Sequence, residues 1–443
     1  MNKEKQYPID RVIAPVQHFI NQEKSGGLVL GISVVIALIL ANSPWAGHYF
    51  HFFEQTFGFT FNSTPYLTYS LHHWINDGLM AMFFFVVGLE LKKEIIAGEL
   101  SDLRSALLPI GTALGGMVVP AVVYFSLNSS GPSEPGWGIP MATDIAFALG
   151  VLYLLGNKVP SSLKVFLMAL AIVDDLGAVL VIAFFYTSDI SVVNLAIGLG
   201  FALVMFIGNK MGVKNILFYG IIGIGGVWVA FLLSGVHATI AAVLAAFTIP
   251  ADVKIEKDLY LNKITQRLKQ LKGTDSEDIP ILGNDQVHIL DLLKKDTNAA
   301  MPPLQRLEHL LNPFVTFVVM PIFAIANAGV SFGDVKGDTL FSNHVALGVG
   351  LGLLLGKVIG IVGSLLLLVK LKVAPFPTGM NMWHLIGLGL LGSIGFTMSL
   401  FITSLAFKDP LFLTQAKIGI FTASIVGGAL GYWVLSRGKK VID

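Results

Sequence analysis

Apolar runs long enough to cross a bilayer, or nearly so, recur twelve times along this chain of 443 residues. They lie near 26–43, 70–91, 104–127, 138–155, 163–186, 190–208, 215–233, 235–250, 313–332, 344–369, 382–406 and 413–436. A hydrocarbon core about 30 Å thick takes roughly 20 apolar residues as a helix. In lipid, only helices and closed barrels satisfy every backbone hydrogen bond. The pattern predicts an all-α polytopic membrane protein with twelve transmembrane helices. It reads as one transmembrane domain over 1–443, with an enlarged loop at 251–311. Composition agrees: 54% of residues are hydrophobic and 13% charged, about half the charged share of a soluble domain. Mean hydropathy is +0.74. A net charge of +1 gives no reason to expect a nucleic-acid partner, and the lack of cysteine excludes disulfides and thiolate metal sites.

Placing both termini in the cytoplasm puts 25 of the 29 Lys and Arg residues on that side. Only Lys336, Lys408 and Lys417 then fall outside, and Lys357 falls in no loop. So strong a bias predicts that orientation. The external segment Ser43–Ser70 has no Lys or Arg, and its stretch Phe57–Asn62 alternates like a short strand. In the cytoplasmic loop, Leu259, Leu261, Ile264, Leu268 and Leu271 predict an amphipathic helix. Gly273–Asp278 reads as a turn and His288–Lys295 as a second helix. Val12, Ile13, Val16, Phe19 and Ile20 have the spacing of an amphipathic helix lying on the membrane.

Charged residues at membrane depth carry the functional signal. Asp174 and Asp175 sit near the centre of the 163–186 run. An ionised side chain there costs at least ~2.5 kcal/mol on insertion scales, and such residues usually line an ion or proton path. Asp144 follows Pro140, which removes a helix hydrogen bond. Lys357 lies in the tenth run and Asp77 in the second, and Gly392–Thr397 has the glycines for an unwound stretch in the eleventh. The fourth and eleventh runs are each the middle of a three-span group, 3–5 and 10–12, and the groups enter the membrane from opposite sides. Interrupted helices at matching places in two inverted halves point to a transporter's midplane site. If the broken helices cross, Asp144 balances their positive ends and Lys357 their negative ends.

Sodium is a hard cation that needs oxygen ligands and an ionised carboxylate. Protons and sodium would therefore compete for one site, with Asp175 facing the Thr143/Asp144 break and Asp174 alternating between Lys357 and the ion. A sodium-coupled organic-anion symporter would need a larger polar pocket. A passive cation channel fits poorly with a lysine in the path. No nucleophile–base set or cofactor motif points to an enzyme, and no resident cofactor is expected.

Trp74–Asp77, Val87–Glu90, Ala142–Phe147, Ile172–Asp175, Ser234–Thr239, Arg306–His309 and Gly395–Ser399 stand in the chain in this order. Together they resemble the NhaA-type bacterial sodium/proton antiporters over nearly the whole length. The resemblance implies a multi-pass protein of the bacterial inner membrane with crossed, broken helices 4 and 11. It would exchange cytoplasmic sodium or lithium for external protons, electrogenically and under pH regulation. It implies Asp174 and Asp175 as the cation- and proton-binding pair, and Thr143 and Asp144 as the broken-helix site. Lys357 becomes the lysine that pairs with Asp174, and Asp77 an acid of the entrance. Glu90, Lys93, Glu94, Glu308 and His309 become a pH-activation cluster, with His237 a further pH element. The 43–70 segment falls where the family has a dimer-forming hairpin. The segment Ala251–Gln305 departs from the family's usual, shorter link. As physics alone, Glu90–Glu94 is a helix-end charge cluster, His237 a satisfied polar residue, and Asn327 a helix–helix hydrogen bond.

Overall fold

The computed structural model describes residues 25–61, 64–187, 190–274, 282–331 and 344–438. The predicted N-terminal surface helix and most of the Gly273–Asp278 turn lie outside these residues. Helix α1 (Ser25–Ala41) shows the environment that this chain is built for. Leu30, Val34, Ala37 and Ala41 are buried, while Leu28, Ile32, Val35 and Ile39 on the other side are each more than half exposed. A helix apolar on both faces is not stable against water, and its outer face belongs against lipid. A bend of 111° joins it to α2 (Ala46–Glu54).

The hairpin β1 (Thr56–Phe61) and β2 (Thr64–Ser70) follows, antiparallel, where alternation predicted a strand. Its register shifts between Phe57 and Phe59, where a side chain at Gly58 would strike the Thr68 backbone. A one-turn helix (Leu71–His73) and a π-helical stretch (Trp74–Leu79) then run into α3 (Met80–Ala97). Next come α4 (Leu103–Leu127), a 3-10 segment (Glu134–Met141), α5 (Ile145–Leu154), α6 (Ser161–Phe185), α7 (Val192–Lys210) and α8 (Ile216–Ser234). The predicted tight turn at Ser234 is present: Gly235 takes φ +80° and leads into α9 (Ala238–Thr248).

The enlarged loop forms α10 (Lys257–Lys272) and α11 (Asn284–Ala300), as its apolar spacing predicted. Then follow α12 (Pro303–Asn327), α13 (His344–Lys370), α14 (Met382–Gly392), α15 (Phe396–Ala406) and α16 (Pro410–Ser436). The core forms where α4 packs on α13, α13 and α14 on α16, α3 on α9, and α4 on α6. The α4–α13 contact is backbone-close: a side chain at Gly360 would collide with the Gly115 carbonyl.

Among the described residues, eight helical segments are long and apolar enough to span a membrane, or up to ten if each of two bent pairs is one span. The chain is thus a predominantly helical polytopic membrane protein, with one β-hairpin. Two predicted spans fall outside that number. The 70–91 run forms a continuous helix through Ala97 that ends in Glu90, Lys92, Lys93 and Glu94. The 235–250 run yields only the 11 residues of α9, about 16 Å of helix. The ninth predicted span begins earlier than its apolar run. Pro303 opens α12, whose first turns carry Glu308 and His309.

Candidate cation and proton site

Asp174 and Asp175 lie at the middle of α6, with 2% and 0% of their surface exposed. Neighbours on a helix point about 100° apart, and the two carboxylates meet different surroundings. Asp174 Oδ2 accepts from Lys357 Nζ at 2.6 Å, and the lysine is itself buried. A π-helical turn, Gly352–Gly356, immediately precedes Lys357. Such a turn changes the direction in which the following side chains leave the helix. Neither oxygen of Asp175 has a hydrogen-bond partner among the described residues. An ionised carboxylate buried without a hydrogen-bond donor is costly.

The breaks in the fourth and eleventh runs meet each other. The first lies at Ala142–Asp144, between the 3-10 segment and α5; the second is Ser393–Gly395, between α14 and α15, with a bend of 41°. Asp144 N donates to Ile394 O at 2.7 Å, and Thr143 Oγ1 to Gly392 O at 2.9 Å. The Asp144 carboxylate caps two helices at once. Oδ1 accepts from Phe147 N at 3.0 Å at the start of α5. Oδ2 accepts from Thr397 N at 3.0 Å and Thr397 Oγ1 at 2.5 Å at the start of α15. Two positive helix ends therefore face the Asp144 carboxylate.

Lys357 bonds to Asp174, the partner that the resemblance implied, and hydroxyls lie on carbonyls at the negative helix ends. Thr143 donates to Gly392 O, Ser399 to Ile139 O at 2.8 Å and Ser393 to Leu390 O at 2.6 Å. The roles of Thr397, Ser393 and Ser399 went unread in the sequence. The available signal was three hydroxyls within seven residues of an otherwise apolar run.

A cavity of about 730 Å³ is lined by the charge cluster Glu90, Lys93, Glu94, Glu308 and His309, and also by Ala146 and Ile172, which lie close in sequence to the site residues. Ile172 stands less than one helical turn before Asp175. Lys93 Nζ and Glu308 Oε1 are 2.7 Å apart, and Asn312 donates to Glu90 Oε1 at 3.4 Å. Five predicted residues are thus brought together, with Asn312 added.

Asp77 and His237 are not among the residues lining that cavity. Asp77 is buried in the π-helical stretch, 3.1 Å from His73 Nε2. His237 Nε2 lies 3.0 Å from Tyr186 O. Asn327 donates to Asn76 Oδ1 at 2.9 Å, the helix–helix bond that its position predicted. Among the described residues, no group of three or more His, Cys, Asp or Glu is arranged to hold a metal.

The profile of a family described as "Na+/H+ antiporter 1" matches residues 17–435. The Na(+)/H(+) antiporter NhaA 2 of Syntrophotalea carbinolica is 48% identical over 425 residues, covering 96% of this chain and 97% of the relative. NhaA 1 of Saccharophagus degradans is 45% identical, covering 97% and 93%. NhaA of Acidithiobacillus ferrooxidans is 45% identical, covering 98% and 99%. These relatives have nearly this chain's own length, so a chain as long as this one, enlarged loop included, is not peculiar to it.

Proposed function

Because this chain belongs to the Na+/H+ antiporter 1 family, whose members are secondary transporters and not enzymes, we propose that it exchanges cytoplasmic sodium or lithium for external protons. The observation that carries the proposal is Asp175: fully buried, with two unpartnered oxygens, next to an Asp174–Lys357 pair. Sodium enters through the cavity below Glu90 and Glu308 and binds ionised Asp175. Asp174 turns from Lys357 to complete the oxygen shell. Protons on the pair displace the ion, and only the two loaded forms change access. Thr143 and Asp144 hold the crossing in place. The exchange is electrogenic: if more than one proton returns per sodium it moves net charge, and the membrane potential then adds ~2.3 kcal/mol per charge per 100 mV.

The finer architecture belongs to the same proposal. We place twelve spans in the bacterial inner membrane with both termini cytoplasmic. They include two inverted three-helix repeats, 3–5 and 10–12, in one transmembrane domain over 1–443. The count is reached from the ten spans above by adding α3 with its leading turns and the short α9. Glu90, Lys93, Glu94, Glu308 and His309 set the pH response, with His237 contributing from the other side and Asp77 at the external mouth. Two copies associate through the hairpin in 43–70, a reading supported by its paired strands and the exposed Trp45 and Phe57. The matched breaks, each closed by bonds to the other, favour alternating access over an open channel.

The test is proton movement in vesicles containing the purified chain, recorded with a pH-sensitive dye as sodium, lithium or potassium is added. Saturable proton release with sodium or lithium supports the proposal. Flux of any cation without proton countermovement contradicts it.

A further inference from the structure

Helices α10 and α11 leave the membrane domain on two feet that are bonded together. Lys254 N and Ile255 N both donate to Ala299 O, at 2.9 and 3.1 Å, and Leu304 N donates to Pro250 O at 3.1 Å. Pro250 follows α9 and Pro303 opens α12, so the hairpin begins where the chain leaves the apolar spans.

One face of α10 is already used. Tyr260, Ile264 and Leu271 are partly covered, and Lys263 and Arg267 each lie 3.7 Å from the buried Asp296 of α11. A second row is open. Lys257, Leu261, Thr265, Leu268 and Lys272 follow one another at three- and four-residue steps and form a line along the helix. All five are exposed, Leu261 by 50% and Leu268 by 52%. The helix carries Lys257, Lys263, Arg267, Lys269 and Lys272 against a single acid, Asp258.

We propose that α10 lies on the anionic phospholipid surface of the membrane that holds the rest of the chain. Leu261 and Leu268 enter the headgroup boundary, and Lys257, Lys269 and Lys272 meet the phosphates. Three arguments select this occupant. Both feet are continuous with helices already in the bilayer. The charge is complementary, because basic segments beside a membrane are drawn to anionic lipid. The pattern of an apolar row flanked by lysines is that of helices that lie in the interface.

The lack of cysteine makes the test direct, since Leu268→Cys supplies a single labelling site. The full chain carrying a bimane dye there is placed in vesicles of phosphatidylcholine, with or without phosphatidylglycerol, that contain a nitroxide lipid. The expected result is blue-shifted, quenched emission in the anionic vesicles, lost at high salt and lost when Lys257, Lys269 and Lys272 are all changed to Gln. Water-like emission in both vesicle types would overturn the proposal, as would quenching indifferent to lipid charge. Shielding that follows the number of protein copies per vesicle would assign the face to a second copy and overturn it too. Hydrogen exchange over 257–272 in the unlabelled chain guards against an effect of the dye. It should be slower in anionic vesicles, and equal rates would also overturn the proposal.

Discussion

Asp144 and Asp175 are both buried aspartates near the helix crossing, and they live in opposite circumstances. Asp144 accepts three hydrogen bonds from the first turns of two helices. Asp175 accepts none from the described residues. The first carboxylate is consumed by the fold: two positive helix ends and a threonine hydroxyl stabilise its charge. The second receives no hydrogen bond from the described residues that would stabilise a charge. Asp174 stands between them, with Oδ2 on Lys357 and Oδ1 without a hydrogen-bond partner among the described residues. Removing a satisfied group costs stability; removing an unsatisfied one costs only what it does.

That contrast is open to attack by substitution. The largest expected effect is on exchange. Asp175→Asn and Asp174→Asn should each abolish sodium/proton exchange in vesicles while leaving membrane insertion intact. Asp175→Asn should also leave the melting temperature in detergent unchanged or higher, because no bond is lost. A clear drop in melting temperature would place Asp175 in the same class as Asp144. Lys357→Ala should slow exchange and destabilise the fold together, since it strips the partner from buried Asp174. Breaking such a pair costs on the order of 3–5 kcal/mol, and an unchanged melting temperature would show that the pair has no such role.

Thr397→Val should cost less, about 1–3 kcal/mol for a buried charged acceptor that loses one donor. It should weaken exchange without abolishing it. A variant as inactive as Asp175→Asn would mean that Thr397 binds the ion rather than holding Asp144. The smallest effect is expected from deleting the hairpin between Ile255 and Ala299, whose bonded feet allow a short rejoining. Exchange should persist with a shifted pH dependence, because Arg306 donates to Asn298 O at 3.4 Å just before Glu308 and His309. Complete loss of exchange in a chain that inserts normally would count against a regulatory appendage.

The same contrast explains what the sequence made legible. Asp174 and Asp175 stood out because a charge in an apolar run has no local excuse. The break at Ala142–Asp144 was visible because Pro140 removes a hydrogen bond wherever the helix ends up. The hydroxyl covers were not visible: Ser399 on Ile139 O and Thr143 on Gly392 O join residues about 250 positions apart, and only the crossing brings them together. The bond from Lys357 to Asp174 joins residues 183 positions apart and was expected only from the resemblance, and the π-helical turn before Lys357 has no local signature beyond its glycines. The early start of α12 was hidden because Arg306, Glu308 and His309 interrupt the apolar run, although Leu304 and Leu307 on the same turns are buried. Gly235 and Pro250 trimmed α9 from both sides of a run that looked long enough.

The central claim is that protons and sodium compete for the Asp174–Asp175 pair. The most direct measurement is the apparent sodium KM of the unaltered chain as a function of pH, with equal pH on both faces of the vesicle. KM should rise as pH falls through the range where the pair takes up protons, by up to about tenfold per pH unit for one proton and more for two. The maximal rate should change less on that acid side. A KM that stays flat across the range where the rate changes would contradict the claim, and would put the pH dependence in the Glu90–Glu308 cluster alone.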